Sequence, residues 1–200
     1  MSSEVNRIVS SDSEQLILVS PDDEELGYLS KLECHDGAGA LHRAFSLFIF
    51  NRRGELLLQR RAAGKRLWPM FWSNSCCSHP RKGETMQQAT SRRLLDELNM
   101  RAELEFIYKF SYQASFGERG AENELCWVYL GRSDDPPAPN DTEIAASRFV
   151  SVALLEQEMS ADPGQFTPWF RMEWQRLLSE FGERLAAFTA GDSPANAQPT

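Results

Sequence analysis

The chain has 200 residues, 42% of them hydrophobic and 25% charged, which suits one domain with a sizeable buried core and an ordinary polar surface. A formal net charge of -8 argues against a nucleic-acid partner, because nothing offsets repulsion from the backbone phosphates, so any anionic ligand needs a local basic cluster or metal ions. No apolar run approaches the roughly 18 residues of a membrane span, and the polar start MSSEVNRIVSSDSEQ lacks a signal-peptide core, so no membrane and a cytoplasmic address are expected.

One domain is expected over residues 15–188, between a flexible start (1–14) and a disordered tail (189–200). Gln15 to Val19 reads as a short strand, followed by a Ser20-Pro21-Asp22-Asp23 turn and then, over Gly27 to Lys31, a second strand or a loop. Gly37 and Gly39 make the segment between His35 and His42 a tight or flexible loop. Leu41 to Phe50 is a continuous apolar strand, buried on both faces; Asn51-Arg52-Arg53-Gly54 turns the chain, and Glu55 to Arg60 returns as its hairpin partner.

Next come the cations Arg60, Arg61, Lys65 and Arg66, an aromatic run, and Asn74-Ser75-Cys76-Cys77-Ser78-His79-Pro80. Glu84 to Leu98 has no internal Pro or Gly and reads as a helix, with Leu94 and Leu98 facing a core and Arg93 and Glu97 one turn apart on the adjacent stripe. That pair is either a surface ion pair or a guanidinium and a carboxylate aimed at a metal-bound phosphate. Strands follow over Glu103 to Tyr112 and Glu122 to Leu130, separated by a Gly-containing loop from Ser115 to Gly120. A proline-rich loop (Asp134 to Asp141) leads to a strand over Ser147 to Val152 and a short helix over Ala153 to Ser160, broken by Asp162-Pro163-Gly164. Apolar residues from Phe170 to Phe188 recur at helical spacing, predicting one amphipathic helix from Trp169 to about Phe188.

The chemistry lies in a few residues. Cys77 two positions before His79 suggests a nucleophile with its base or a ligand set. The chain has only three histidines, His35, His42 and His79. Glu122 and Glu124, two apart on a strand, point to the same face. Three imidazoles and two carboxylates form a borderline-to-hard donor set suited to Mn2+, Zn2+ or Mg2+. The four cysteines, Cys34, Cys76, Cys77 and Cys126, have no Cys-x-x-Cys spacing, so reduced thiols are expected.

From about Lys31 to Trp169 these segments resemble type 1 isopentenyl-diphosphate delta-isomerase. The resemblance rests on His35 with His42, Arg61-x3-Lys65, Trp68-Pro69-x-x-Trp72-x-Asn74-Ser75-x-Cys77-x-His79-Pro80, Arg92-Arg93 before Glu97-Leu98, Glu122-Asn123-Glu124, and Pro168-Trp169. It implies an α+β fold, a Nudix-like α/β/α sandwich with a mixed sheet flanked by helices. It implies a metal site built from His35, His42, His79, Glu122 and Glu124, with Cys77 beside it as a further ligand, holding one Mn2+, Zn2+ or Mg2+. Glu97 would help hold a Mg2+ that arrives on the substrate diphosphate. Cys77 and Glu124 would be the acid–base pair, with Tyr112 hydrogen-bonding near Glu124. Lys31, Arg61, Lys65 and Arg93 would meet the diphosphate, and Trp169 would face a cationic intermediate. The partner implied is a small diphosphate, on a monomer or weak homo-oligomer.

The Nudix pattern Gly-x5-Glu-x7-Arg-Glu-U-x-Glu-Glu-x-Gly, with U aliphatic, reads here Ser78-x5-Glu84-x7-Arg92-Arg93-Leu94-Leu95-Asp96-Glu97-Leu98-Asn99. Arg93 in place of a metal-binding acid disfavours the hydrolytic metal cluster and suits diphosphate binding. The alternatives are a Nudix hydrolase of nucleoside diphosphate derivatives and a non-catalytic sensor of metal and phosphate.

Overall fold

The chain opens with an antiparallel hairpin, β1 (Gln15–Val19) against β2 (Glu25–Ser30), which settles the second segment as a strand. The computed structural model describes residues 7–191. A one-turn helix, α1 (Lys31–Cys34), leads through the glycine-bearing loop to β3 (His42–Phe50). Then come β4 (Leu56–Arg61), β5 (Trp72–Ser73), β6 (Cys76–Ser78), α2 (Met86–Leu98), β7 (Glu103–Ser115), β8 (Ala121–Arg132) and β9 (Ile144–Val150). Three helices close the described chain: α3 (Val152–Ala161), α4 (Pro168–Glu180) and α5 (Gly182–Thr189).

β3 is the centre of the mixed sheet. It runs parallel to β8 from His42↔Glu124 to Phe50↔Arg132 and antiparallel to β6, where Ser46 sits opposite Cys77. Its alternate residues feed two cores. Ala44, Phe48 and Phe50 pack with Leu155, Phe170, Trp174 and Leu185 of the C-terminal helices. Phe45, Leu47 and Ile49 pack with Ala89, Leu94 and Leu98 of α2. A strand apolar on both faces must be covered on both, and the α/β/α sandwich is the result.

α2 starts where its sequence can satisfy the free backbone N–H groups. Thr85 accepts from the Gln88 N–H while Gln88 reaches back to Thr85, forming a capping box, so the helix begins at Met86 rather than Glu84. It stops at Asn99, in the left-handed region at φ 53°.

The structure departs from expectation in three places. β4 is not a full hairpin partner of β3: they pair only at Phe50↔Leu56, and β4 pairs along its length with β9, because β6 and β8 already occupy the flanks of β3. The C-terminal helix is two helices, broken at Phe181 with φ -125° and ψ 26° just before Gly182. The segment before β1 is docked where it is described: Val9 is buried, and its carbonyl accepts from Arg93 and Arg81. Residues 1–6 and 192–200, at the ends expected to be flexible and disordered, lie outside the described residues.

The β1–β2 turn is fixed by Asp23, which has a positive φ of 70°. Its carboxylate accepts from Arg43 Nε at 2.7 Å, Lys109 Nζ at 3.0 Å and Trp127 Nε1 at 3.1 Å, tying the turn to β3, β7 and β8. Asp23→Ala removes the shared acceptor of Arg43 Nε, Lys109 and the Trp127 indole N–H, leaving Arg43 only its bond to the Asp23 backbone carbonyl, and it is expected to lower the unfolding free energy by about 2 kcal/mol in urea denaturation. A loss below about 0.5 kcal/mol would reduce the cluster to an ordinary surface ion pair.

Candidate active site

Five donors from four separate stretches of chain meet on one side of the sheet. His35 follows α1, His42 opens β3, His79 follows β6, and Glu122 and Glu124 come from β8. One ligand atom from each lies within 4.8 Å of every other, and all five residues are buried. Sheet register accounts for part of this: His42 is paired with Glu124, and Glu122 is two residues earlier on the same face. The His35 loop is held by a close approach in which Ala121 N–H donates to the His35 carbonyl at 3.1 Å. A Cβ on the neighbouring Gly120, at φ 129°, would stand 2.1 Å from that oxygen, so the position needs glycine.

The rings are oriented from behind. His35 Nδ1 lies 2.6 Å from the Lys31 carbonyl and His42 Nδ1 2.7 Å from the Ala40 carbonyl. Carbonyls only accept, so both Nδ1 atoms carry hydrogen and turn Nε2 inward. His42 Nε2 is buried without a hydrogen-bond partner, and His35 Nε2 stands 2.8 Å from a Glu122 oxygen. A nitrogen lone pair and a carboxylate oxygen that close need a cation between them, a proton or a metal ion. The orphaned nitrogen and the N/O donor chemistry both fit a divalent metal.

Without metal, burial dominates the electrostatics. Burial, reinforced by the neighbouring imidazoles, pushes His79 well down and takes His42 down to about 4. Burial also lowers His35, but Glu122 outweighs it and leaves that ring raised. Of the two carboxyls, Glu124 is pushed well up by burial and by Glu122, while Glu122 ends low because His35 overcomes its desolvation.

Four of the donors, His35, His79, Glu122 and Glu124, form one wall of a cavity of about 240 Å³, which Cys77, Tyr112 and Trp169 also line. Tyr112 donates to Glu124 Oε2 at 2.6 Å, and His79 Nε2 lies 2.8 Å from Oε1, so the Glu124 carboxyl is gripped at both oxygens. Burial pushes the Cys77 thiol up to about 12, against the pull of Arg61, so it is the protonated form that faces the cavity. Trp169 Nε1 donates to Ser73 Oγ at 3.1 Å, and that oxygen is 3.8 Å from Cys77 Sγ. The Arg61 guanidinium lies 5.2 Å from the Trp169 ring centre and donates to the Trp68 and Leu67 carbonyls.

Lys31, Arg61, Lys65, Arg66 and Arg93 also line the cavity, giving an acidic protein a local surplus of positive charge. Lys31 Nζ donates to Ser10 Oγ; burial, with Lys65 and Arg93 nearby, lowers it to about 8.

A NUDIX domain model matches residues 40–170. The chain is 38% identical over 174 residues to isopentenyl-diphosphate Delta-isomerase 1 of Photorhabdus laumondii, covering 86% of this chain and 99% of that protein. It is 40% identical over 169 residues to the isopentenyl-diphosphate Delta-isomerase of Halorhodospira halophila, covering 84% of this chain and 94% of that protein. The chain belongs to the isopentenyl-diphosphate Delta-isomerase family. Its NUDIX fold is also visible in the crystal structure of DR0079 from Deinococcus radiodurans, at 23% identity and a TM-score of 0.63 over 86% of this chain and 99% of that one.

Within this isopentenyl-diphosphate Delta-isomerase scaffold, two expected metal ligands stand apart from the donor group. Cys77 lines the cavity but is not among the five converging donors, because β6 sets it across from Ser46 rather than beside the imidazoles. Glu97 is not among the residues that line the cavity: it is 2% exposed and ion-paired with Arg93, which does line it. The two readings of Arg93 and Glu97 therefore merge into a buried ion pair whose guanidinium reaches the cavity. Glu143 was not singled out from sequence. It lines the cavity, 2.5 Å from Lys65 Nζ and 3.6 Å from Arg93. Burial works to raise its carboxyl, but those two cations outweigh it. Following a proline-rich loop, it reads as solvated until β4 and β9 are paired. All four cysteines are free, and among the described residues no helix is long and apolar enough to cross a membrane.

Proposed function

We propose that this chain isomerises isopentenyl diphosphate to dimethylallyl diphosphate, the allylic transposition used in isoprenoid biosynthesis. The observation that carries the reading is that the Cys77 thiol, pushed up by burial, and the Glu124 carboxyl, contacted at both oxygens, line one cavity together with Lys31, Arg61, Lys65 and Arg93. Binding starts at those four cations, which hold the diphosphate with the Mg2+ it brings. The five-carbon chain then lies between Cys77 and Glu124. One group gives a proton to the terminal alkene carbon, leaving a tertiary cation; the other removes a proton from the carbon on the far side of the cationic centre, and the double bond moves with no net change in atoms. The ring face of Trp169 stabilises that cation by about 2 kcal/mol in a desolvated site, and burial keeps water from trapping it.

His35, His42, His79, Glu122 and Glu124 would hold one Mn2+, Zn2+ or Mg2+ in this reading. Such an ion would supply positive charge that lowers the proton affinity of Glu124. Tyr112 orients Glu124 and keeps its own proton, since burial and Glu124 push the phenol well up. His79→Ala is expected to weaken metal binding by about tenfold or more, read as metal per chain by elemental analysis after dialysis. Unchanged metal content would remove His79 from the ligand set.

Purified protein with Mg2+ and isopentenyl diphosphate decides the function. Dimethylallyl diphosphate is the expected product. Release of phosphate or pyrophosphate would instead make the chain a hydrolase, a reading that Arg93 at the expected acid position already disfavours, and binding without turnover would make it a sensor.

A further inference from the structure

Glu173 is a carboxylic acid with no exposed surface, set beside the apolar core residues Phe170, Trp174 and Cys126. It is one helical turn after Trp169 on α4 and faces the same side. One of its oxygens, Oε1, accepts from the Cys126 thiol at 3.3 Å, and Cys126 in turn lies 3.5 Å from Ser46 Oγ. Oε2 is buried with no hydrogen-bond partner.

The neighbours are what make this acid significant. Ser46 is the cross-strand partner of Cys77, and directly opposed residues on antiparallel strands share a face. Cys126 is two residues after Glu124 on β8 and therefore shares its face. The Glu173–Cys126–Ser46 group thus lies between the strand positions that carry the two proposed acid–base groups, and its helix carries the aromatic floor.

We propose that Glu173 is a positioning residue for the isomerisation: through Ser46 and Cys126 it sets the spacing of Cys77 and Glu124, and it ties that spacing to the helix bearing Trp169. The proposal rests on the acid–base reading of Cys77 and Glu124. An apolar residue would fill the core more cheaply than a buried carboxyl, which has to be kept neutral or matched with partners. Burial pushes Glu173 up to about 8, against the pull of Ser46 and Cys126, so near neutrality the carboxyl is uncharged and acts as a polar wedge. The titratable groups around it are Cys126 from β8 and Tyr108 from β7, whose hydroxyl donates to the Glu173 backbone carbonyl at 3.2 Å; Cys77 and Glu124 also sense its charge.

The sign of the pH effect follows. The carboxyl holds its proton more tightly folded than unfolded, so the folded state keeps its full advantage below the ordinary carboxylate value of 4.5 and loses it as pH rises through about 8. Glu173→Gln keeps a neutral group of the same shape at every pH; Glu173→Leu removes the polar contacts.

Steady-state kinetics of the metal-loaded enzyme with isopentenyl diphosphate test the idea. At pH 7 the glutamine variant should keep kcat within about threefold, and the leucine variant should lose about tenfold or more in kcat with KM within about twofold. As pH passes 8 the wild-type kcat should fall more steeply than that of the glutamine variant, since Lys31, also lowered to about 8, is common to both. A leucine variant with wild-type kcat, equal losses in both variants, or a rise in KM matching the loss in kcat would overturn the proposal. Should the leucine variant not fold, pH profiles that run parallel in wild type and the glutamine variant would overturn it equally. Wild-type protein that does not convert the substrate overturns the acid–base reading beneath it, whereas active wild type with an unimpaired leucine variant overturns this inference alone.

Discussion

Cys77→Ala is expected to cut kcat by about a thousandfold, the scale of losing a positioned proton-transfer group, while leaving fold and metal content intact. The reasoning is local. Cys77 lies on the short β6 and is not one of the five converging donors, so an alanine there removes one sulfur without disturbing the imidazoles. Its thiol is held protonated by burial, so what the variant loses is a proton carrier rather than a standing thiolate nucleophile. Circular dichroism and elemental analysis alongside the assay separate this from unfolding. Activity near the wild-type level in a folded, metal-loaded variant would sink the assigned role.

Glu124→Gln is expected to be still more severe, at about ten-thousandfold in kcat, because it removes a proposed metal donor and half of the proposed acid–base pair together. Comparison with Glu122→Gln separates the two. Glu122 contacts His35 and does not share the Tyr112 hydrogen bond, so its amide variant should regain most activity when metal is raised to saturation. The Glu124 variant should stay inactive at any metal concentration. Equal recovery of both would reduce Glu124 to a ligand alone.

Much of this was legible in sequence because it depends on local periodicity. The two-faced apolar run of β3 announces a covered central strand, and the i, i+2 spacing of Glu122 and Glu124 fixes their common face before any partner is known. What was not legible depends on long-range pairing. Nothing in Glu55 to Arg60 says that its partner lies some ninety residues on in β9, since a turn followed by an apolar segment is equally good as a hairpin. Glu143 owes its burial to that same pairing. The break at Phe181 is hidden because the apolar repeat continues in phase through Leu185 and Phe188, although Gly182 is its one local signal. The segment before β1 reads as loose from its serines, yet Val9 finds a buried niche and its carbonyl a pair of guanidiniums, partners that only the folded sheet supplies.

The five donors lie as far apart in sequence as His35 and Glu124, on segments that approach only once β3 lies beside β8. An ion seated among them would therefore work as a reversible cross-link that recognises native topology over the unravelled polypeptide. Occupancy and folding would become a single linked equilibrium, in which each tenfold rise in free ion above its dissociation constant deepens the native basin by about 1.4 kcal/mol. Chelation should then lower the melting temperature even in variants that have lost all turnover.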